Sequence, residues 1–243
     1  IWTGTFTPSI NLESTANVLT LAAAYTDLAG NSGLSAISVP YDIDTLLAYS
    51  YTVITGTSNA IITGSNYGTS LAGAITIPTT IGGYAVKEIG VSAFQGTAIS
   101  SVSIPLNVTS IGGDAFYLCT SLAIVTFDAV SQLATIGNSA FLQTAITSIT
   151  IPLNVTSIGA FAFQQTALSS ITIPASVTEI GVQAFALTTS LTTVTFAPGG
   201  VSSLTISNIA FSNGGLTTVF LATDNRITPS ITSPSTGPVS FYG

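Results

Sequence analysis

Charged side chains are scarce in this chain of 243 residues: they make up 5% of it, against about 25% in ordinary soluble domains. Nine acidic residues stand against two basic ones, Lys87 and Arg226, and the formal net charge is −7. Nucleic acids and anionic membrane surfaces are bound mainly by clustered Lys and Arg, so the composition argues against both as partners. Solubility must depend on Ser, Thr, Asn and Gly.

Histidine is absent altogether. A Ser-His-Asp or Cys-His arrangement is therefore excluded, as is a neutral imidazole base. There is no Gly-rich phosphate loop and no Cys/His metal spacing. The single Cys119 cannot form an internal disulfide and is expected in buried packing. Asp27, Asp42 and Asp44 offer oxygen ligands that would suit calcium, but turn and capping roles explain them better. We predict no enzyme activity, no cofactor and no metal site.

Long apolar runs are also missing. No stretch approaches the roughly 18 continuous apolar residues of a membrane span, so none is predicted. Methionine is absent, including at position 1, and no basic segment followed by an apolar one stands at the start. We therefore expect the chain to be a processed or partial product.

A short sequence pattern recurs six times between Ile75 and Thr223. An Ala-Phe pair marks every copy, and the successive Phe residues are 22, 25, 22, 22 and 26 positions apart. A period in the twenties is typical of a solenoid in which each copy is one coil. The copies are called coils one to six, after Phe94, Phe116, Phe141, Phe163, Phe185 and Phe211.

Apolar residues stand at fixed offsets from each Phe. Five positions before it is always Ile, followed by Gly in five coils and by Ser207 in coil six. A further Ile or Leu follows five or six positions after the Phe, as in Ile99 and Leu122. Stacked coils would bury these positions as parallel columns, which a single coil cannot do. The segment around each Ala-Phe pair is too short for a long helix and predicts a turn of 3₁₀ or α-helix.

Each coil also carries an alternating triplet, apolar-hydroxyl-apolar, ahead of its Phe. Such alternation predicts a short half-buried strand. One strand per coil gives a narrow parallel sheet with strands about 4.8 Å apart. The middle hydroxyls form a ladder on the exposed face, a candidate surface for binding ice or for O-glycans, although β-branched hydroxyls also simply suit an exposed strand. The ladder consists of Thr76, Ser103, Thr126, Thr150, Thr172 and Thr195.

The repeat resembles the BspA-type leucine-rich repeat of bacterial surface proteins, most clearly in Ile173-Pro-Ala-Ser-Val-Thr-Glu-Ile-Gly-Val-Gln-Ala-Phe185. Residues 47–74 look like the N-terminal cap of that family, residues 75–223 are the repeats, and residues 224–243 look like its closing segment. The resemblance implies a mainly β fold, a capped solenoid of six coils over residues 47–243. It also implies a secreted or cell-surface protein that binds other proteins or glycans.

Residues 1–46 follow a different pattern and resemble the last strands of a bacterial immunoglobulin-like adhesin domain, chiefly in Tyr25-Thr-Asp-Leu-Ala-Gly-Asn31. A complete domain needs about seven strands and about 100 residues, so this is a partial β-sandwich. The missing half was removed, packs on the solenoid cap, or is supplied by another chain. In the last case the residues of the socket are Trp2, Phe6, Val18, Leu19, Leu21, Tyr25, Ile37 and Val39.

Strand donation into that socket would join copies of the chain head to tail, and the segment from Thr223 to Gly243 is the expected donor. The favoured interpretation is therefore an extracellular structural protein, the subunit of a filament or fibril. The alternative is a cell-surface adhesin whose repeat surface binds a host or microbial protein or glycan. Two glycosylation sequons, at Asn107 and Asn154, each lie nine positions before their Phe and so face one side of the solenoid. An Asn that simply suits that turn is the competing explanation.

Overall fold

The computed structural model describes residues 49–199, 204–207, 209–212, 214–220 and 240–242. The chain divides into two units, Ile1–Leu47 and Ala48–Gly243, and every described residue belongs to the second. The eight predicted socket residues and the aspartates weighed for calcium lie outside the described residues. The Ig-like module therefore stays a prediction in its structural details.

The described part is a β-solenoid. Its strands, in chain order, are β1 (Tyr49–Val53), β2 (Asn59–Ser65), β3 (Ala72–Thr76), β4 (Thr80–Ile81), β5 (Tyr84–Ile89), β6 (Ala98–Ile104), β7 (Ser110–Ile111), β8 (Ile124–Phe127), β9 (Thr135–Ile136), β10 (Ser157–Ile158), β11 (Ser170–Ile173), β12 (Glu179–Ile180), β13 (Thr193–Phe196), β14 (Thr205–Ile206), β15 (Thr218–Phe220) and β16 (Ser240–Tyr242). The helical content of the described residues is one 3₁₀ turn, Gly68–Ser70.

The six Phe side chains form one continuous stack through the core. Neighbouring ring centroids are 5.1–5.4 Å apart and the ring planes are within 2–13° of parallel. Tyr49 of β1 closes the N-terminal end of the stack, edge-on to Phe94 at 5.9 Å. The Ala before each Phe is buried, as is the Ile or Leu that follows it. The predicted core columns are confirmed.

A long sheet runs along the whole described solenoid. Its strand order is β1-β2-β5-β7-β9-β10-β12-β14, with β4 added antiparallel beside β5. The hairpin of β1 and β2 is antiparallel and caps the first coil, whereas the later neighbours pair in parallel. From β7 onward each strand of this sheet is two residues, a polar residue and the Ile of its column, which is buried in every strand except β14, where Ile206 is half-buried. The prediction of a single strand per coil was wrong, because every coil except coil four contributes to two sheets.

The Gly after each Ile is explained by the closeness of the coils along this sheet. A Cβ atom added there would lie 2.5–2.8 Å from the nearest atom of the preceding coil, which is too close for any side chain. The residues concerned are Gly90, Gly112, Gly137, Gly159 and Gly181.

The predicted triplets form a second sheet, called here the triplet sheet, but it exists in two parts. One part has the order β3-β6-β8 and the other β11-β13-β15-β16, all parallel. Ile149–Ile151, the triplet of coil four, is not a strand and joins neither part. In coil four, therefore, the predicted strand was wrong.

The segment around each Ala-Phe pair is a hydrogen-bonded turn instead of the predicted helical turn. Residues two positions before and two after the Phe adopt positive φ angles of 54–59° in most coils. This conformation aims the Phe amide along the stack, where it donates to the carbonyl of the Ala in the next coil at 2.7–2.8 Å. The non-Gly residues with positive φ are Ser92, Asp114, Leu118, Ser139, Gln143, Phe161, Gln165, Gln183 and Leu187.

The tail returns to the solenoid. Residues Ser240–Tyr242 (β16) lie parallel to β15, with Val219 opposite Phe241. This pairing fits the closing role predicted for the tail and places these three residues in the chain's own sheet.

Candidate functional site

The hydroxyl ladder lies on the outer face of the triplet sheet. Five of its members are exposed and Thr195 is half-buried, while the apolar residues on either side point into the core. Register confirms two short rows: Thr76, Ser103 and Thr126 lie side by side, and Thr172 lies beside Thr195. Thr150 lies in the gap between them. Phe220, the next neighbour of Thr195 in register, continues the second row with an exposed ring.

A second outward row accompanies the first, two residues earlier in each coil. Register aligns Ala74, Ser101 and Ile124 in one part of the sheet, and Ser170 with Thr193 in the other. Sequence reasoning missed this row because its residue types vary. The signal available was position alone, since residues two apart on a strand share a face.

Most hydroxyls of the ladder differ from the Thr hydroxyls that flank the strands of either sheet. Beside the triplet sheet, Thr192 and Thr217 each donate to a carbonyl of the preceding coil at 3.2–3.3 Å. Beside the long sheet, Thr109, Thr156 and Thr178 each donate to a carbonyl of the preceding coil at 3.1–3.2 Å. These groups hold coils together. On the triplet face, Thr126 donates to the Val102 carbonyl at 3.4 Å, while the other five ladder hydroxyls make no hydrogen bond to any described residue. The triplet face therefore offers uncommitted hydroxyl groups to an outside partner.

A groove of about 380 Å³ opens on this face where the sheet is divided. Coil four contributes Ser148–Ile151 and Leu153, and coil five contributes Ser170–Thr172 and Pro174, with Ala197 at the far side. Leu153 is 80% exposed, one of the most exposed apolar side chains of the described chain. No charged residue lines the groove.

The described acidic residues do not form a catalytic pair. Glu88 and Glu179 occupy the same row of the long sheet, but Ser110, Thr135 and Ser157 lie between them in register. Partial burial raises the pKa of Glu88. Among the residues in the described ranges, no three His, Cys, Asp or Glu side chains gather where a metal ion could bind.

Cys119 is fully buried, as expected. Its Sγ donates to the Phe94 carbonyl at 2.9 Å, and burial raises the pKa of the thiol despite hydrogen bonds that act the other way. The same offset from the Phe is occupied by Thr97, Thr144, Thr166 and Thr188 in other coils. Cys119 thus takes the place of a buried Thr.

Both sequon asparagines donate to a carbonyl of the preceding coil. Asn107 Nδ2 lies 3.5 Å from the Thr79 oxygen and Asn154 Nδ2 lies 2.7 Å from the Ser131 oxygen. Ser176, at the same offset in coil five, donates to the Val155 carbonyl at 2.7 Å. The position therefore has a structural role in three coils, and glycosylation stays a prediction.

The part of the chain that the structure describes contains no helix long and apolar enough to cross a membrane. Lys87, its one described basic residue, lies 3.4 Å from Gln132 through Nζ and Oε1.

Comparison with protein families gives two matches. The BspA type leucine-rich repeat region matches residues 87–217 in six copies, which is more than half of the chain. A bacterial Ig-like domain matches residues 1–43. The comparison with curated proteins found no match. The two predicted resemblances are thereby confirmed.

Similar solved structures are leucine-rich repeat proteins. One from Bacteroides ovatus ATCC 8483 is 31% identical with a TM-score of 0.59, and the match covers 74% of this chain and 47% of that one. The T. pallidum leucine-rich repeat protein is 26% identical with a TM-score of 0.48, covering 72% and 69%. A leucine-rich cell surface protein from Faecalibacterium prausnitzii A2-165 is 26% identical with a TM-score of 0.41, covering 71% and 68%.

This chain spans about half the length of the Bacteroides protein. The matched repeat family and the Bacteroides protein are leucine-rich repeat proteins, and the matched family is not an enzyme family. The stacked Phe column, the six matched repeats and the similarity to the Bacteroides structure agree with one another. This chain belongs to the BspA-type leucine-rich repeat family.

Proposed function

We propose that the chain works outside the cell or at its surface as a non-enzymatic binding module. Its outer triplet face would contact a host or microbial protein or glycan. The observation that carries this proposal is the pair of outward rows on the triplet face. They are uncharged, and five of the six ladder hydroxyls make no hydrogen bond within the described chain. Hydroxyls with a structural role in this solenoid bond to the preceding coil, as those of Thr109, Thr156 and Thr178 do.

Adhesion by coated beads tests this proposal. Beads carrying the full chain are scored on epithelial and bacterial cell layers, beside beads carrying Ser103→Tyr/Thr172→Tyr, which blocks both parts of the triplet face. Thr135→Tyr is the matched control, because Thr135 is an exposed hydroxyl of the long sheet. We expect adhesion to be lost in the double variant and kept in the control. Loss in the control alone would move the binding surface to the other side.

A head-to-tail filament is the second candidate, favoured by the two ends of the triplet sheet. Strands β3 and β16 end its two parts, and neither has a neighbour on its outer side among the described residues. Both run in the same direction as the strands between them. Pairing of β16 in one molecule with β3 of the next would continue the parallel sheet across molecules.

This contact differs from donation of the tail into the Ig-like socket. Residues 240–242 already pair with β15, so donating them elsewhere would break that pairing. Negative-stain electron microscopy of the full chain and of a chain lacking residues 223–243 separates the candidates. Fibres that vanish on truncation assign the contact to residues 223–243, through β16 or through the socket, and fibres that survive it move the contact to another part. Single particles in both samples would exclude the filament and favour the binding module.

A further inference from the structure

Coils four and five contain the same tetrapeptide in two different states. In Ile171-Thr-Ile-Pro174, the first three residues belong to β11 and pair with β13. Ile149-Thr-Ile-Pro152 is in neither part of the triplet sheet. The nearest link is the Ser169 amide, which donates to the Thr147 carbonyl at 3.3 Å. From Ser148 to Ile151, no backbone hydrogen bond to a described residue is formed.

Water or a ligand must therefore satisfy these backbone groups, because an unpaired amide or carbonyl is costly when it is covered. Ser148 and Thr150 are exposed and Ile149 is half-buried, so the stretch is open to solvent. A ligand that reproduces the hydrogen bonds of the displaced water gains affinity here.

The coils have not moved apart to make this gap. Phe163 of coil four lies 5.4 Å from Phe141 and 5.3 Å from Phe185, within the range of the rest of the stack. An inserted peptide strand would need about 4.8 Å of extra separation. The Phe stack and the long sheet, which stays paired through coils three to five, exclude that opening. Only small groups that approach from the solvent side can form hydrogen bonds with the unpaired backbone of coil four.

The groove walls combine hydroxyls with apolar surface. Four side chains, Ser148, Thr150, Ser170 and Thr172, line the groove and make no hydrogen bond to any described residue. Ile149 and Leu153 supply aliphatic surface beside them. The volume of about 380 Å³ lies at the lower end of the roughly 300–1,000 Å³ of small-molecule sites.

We propose that this groove binds a neutral sugar ring, a unit of a glycan chain. A pyranose has hydroxyls around its edge and C–H groups on its faces, which match the hydroxyls and the Ile149–Leu153 wall respectively. The lining carries no charge, which favours a neutral sugar over a sialylated or sulfated one, because an anion would find no cation there. The inference rests on the proposed binding function and gives it a ligand class and a place.

Amide chemical-shift mapping on the full chain tests the proposal. The probes are the methyl glycosides of glucose, galactose, mannose and N-acetylglucosamine, with sialic acid as the charged comparison and an uncharged extended octapeptide as the peptide comparison. We expect one or more neutral glycosides to shift amides in residues 148–153 and 170–174, with a Kd on the order of 1 mM.

Two variants and a matched control complete the test. Ser148→Ala/Thr150→Val/Ser170→Ala/Thr172→Val removes the hydroxyls at nearly constant shape, and Leu153→Ser removes the exposed aliphatic wall without touching the core. The control, Thr76→Val/Ser103→Ala, removes uncommitted hydroxyls of the same face away from the groove. We expect each groove variant to weaken sugar binding by about tenfold or more, and the control to bind normally.

Three results would overturn the proposal: no shift in the groove with any neutral glycoside, binding of the octapeptide or sialic acid alone, or unchanged sugar binding in both groove variants. The wider binding function would still stand if one of these results were obtained while beads carrying the full chain adhered and beads carrying Ser103→Tyr/Thr172→Tyr did not. Loss of bead adhesion by the full chain itself would remove the wider function instead.

Discussion

The backbone of coil four pairs with both neighbouring coils in the long sheet and with neither of them on the side of the triplet sheet. On the long sheet, Ser157–Ile158 pairs with coils three and five in register. On the triplet side, Ile149–Ile151 pairs with neither, although coil five forms a strand from the same residues. Ile149 is half-buried where Ile171 is 3% exposed. The local sequence therefore does not decide whether a triplet joins the sheet.

Coil length alone does not explain the difference between the coils. Phe127, the end of the coil-three triplet, is 14 positions before Phe141, whereas the corresponding separation is 12 in coils two, four and five. The separation is also longer in coils one and six, 17 and 15 positions, and the triplets of both are paired with the next strand. Strand formation depends on the neighbours that a strand is offered, and the long sheet with the Phe stack is what keeps the coils in place here.

The largest effect is expected from Phe163→Ala. Truncating a buried Phe costs about 3–5 kcal/mol, and at coil four no triplet pairing compensates for it. We expect guanidinium unfolding, followed by circular dichroism, to separate into two transitions at this break. Phe116→Ala is the control, since the coil-two triplet pairs on both sides, and it should lower one single transition. Identical curves for the two variants would mean that the break does not weaken the solenoid.

Gly159→Ala tests the other side of the same coil. The added Cβ would lie 2.6 Å from the Asn138 amide nitrogen and 2.7 Å from the Gly137 carbonyl carbon. Forcing an extra methyl group into such a contact costs about 1–3 kcal/mol. Gly64→Ala is the control, where the nearest atom is 3.6 Å away. Equal stability of the two variants in denaturant would show that the coil spacing is set elsewhere.

Tyr49 links the two sheets at the N-terminal end, because its hydroxyl donates to the Thr76 carbonyl of β3 at 3.0 Å. Burial raises the pKa of Tyr49 to about 12, against about 10 in the unfolded chain. The folded state therefore favours the neutral phenol of Tyr49. The stability that this group contributes is fully present below about pH 10 and is lost as the pH rises toward 12. The loss is about 2 kcal/mol. Urea unfolding at a series of pH values should show a steeper decline for the natural chain than for Tyr49→Phe, and parallel profiles would contradict the assignment.

Amide hydrogen exchange compares the broken and intact triplets directly. We expect the amides of Thr150 and Ile151 to exchange at least about tenfold faster than those of Ser103 and Ile104, which lie in a strand paired on both sides. The measurement is exchange followed by NMR in the unmodified chain. Equal protection would mean that the gap closes in solution, and the sugar groove would lose its basis.

The sequence was sufficient for the core and for the solenoid. Each buried column sits at a constant offset from a Phe, and the period of 22 in three of the five intervals made those offsets visible. The long sheet could not be found by alternation, because a strand of two residues has none. The sequence feature that marks the long sheet is a recurring triad of a polar residue, Ile and Gly, as in Ser157-Ile-Gly159. The sequence alone gives no physical reason for the Gly.

Two further features lay beyond sequence reasoning. Positive φ angles at Leu118 and Phe161 contradict the preference of bulky residues, and only the ladder of Phe amides to Ala carbonyls explains why the chain tolerates them. Thr150 was predicted in the hydroxyl ladder because its tetrapeptide equals that of Thr172. No local signal distinguishes them, yet Thr172 lies in a paired strand and Thr150 does not.

The division of the triplet sheet also limits the size of what this face can recognise. A crystalline surface such as ice is read by many identical groups that keep a common repeat, and any error in spacing accumulates along the array. Here three hydroxyls, Thr76, Ser103 and Thr126, keep register before the repeat is lost, and two more resume beyond the gap. The face is two short patches with a notch between them, dimensions that suit a single molecule and not an extended lattice.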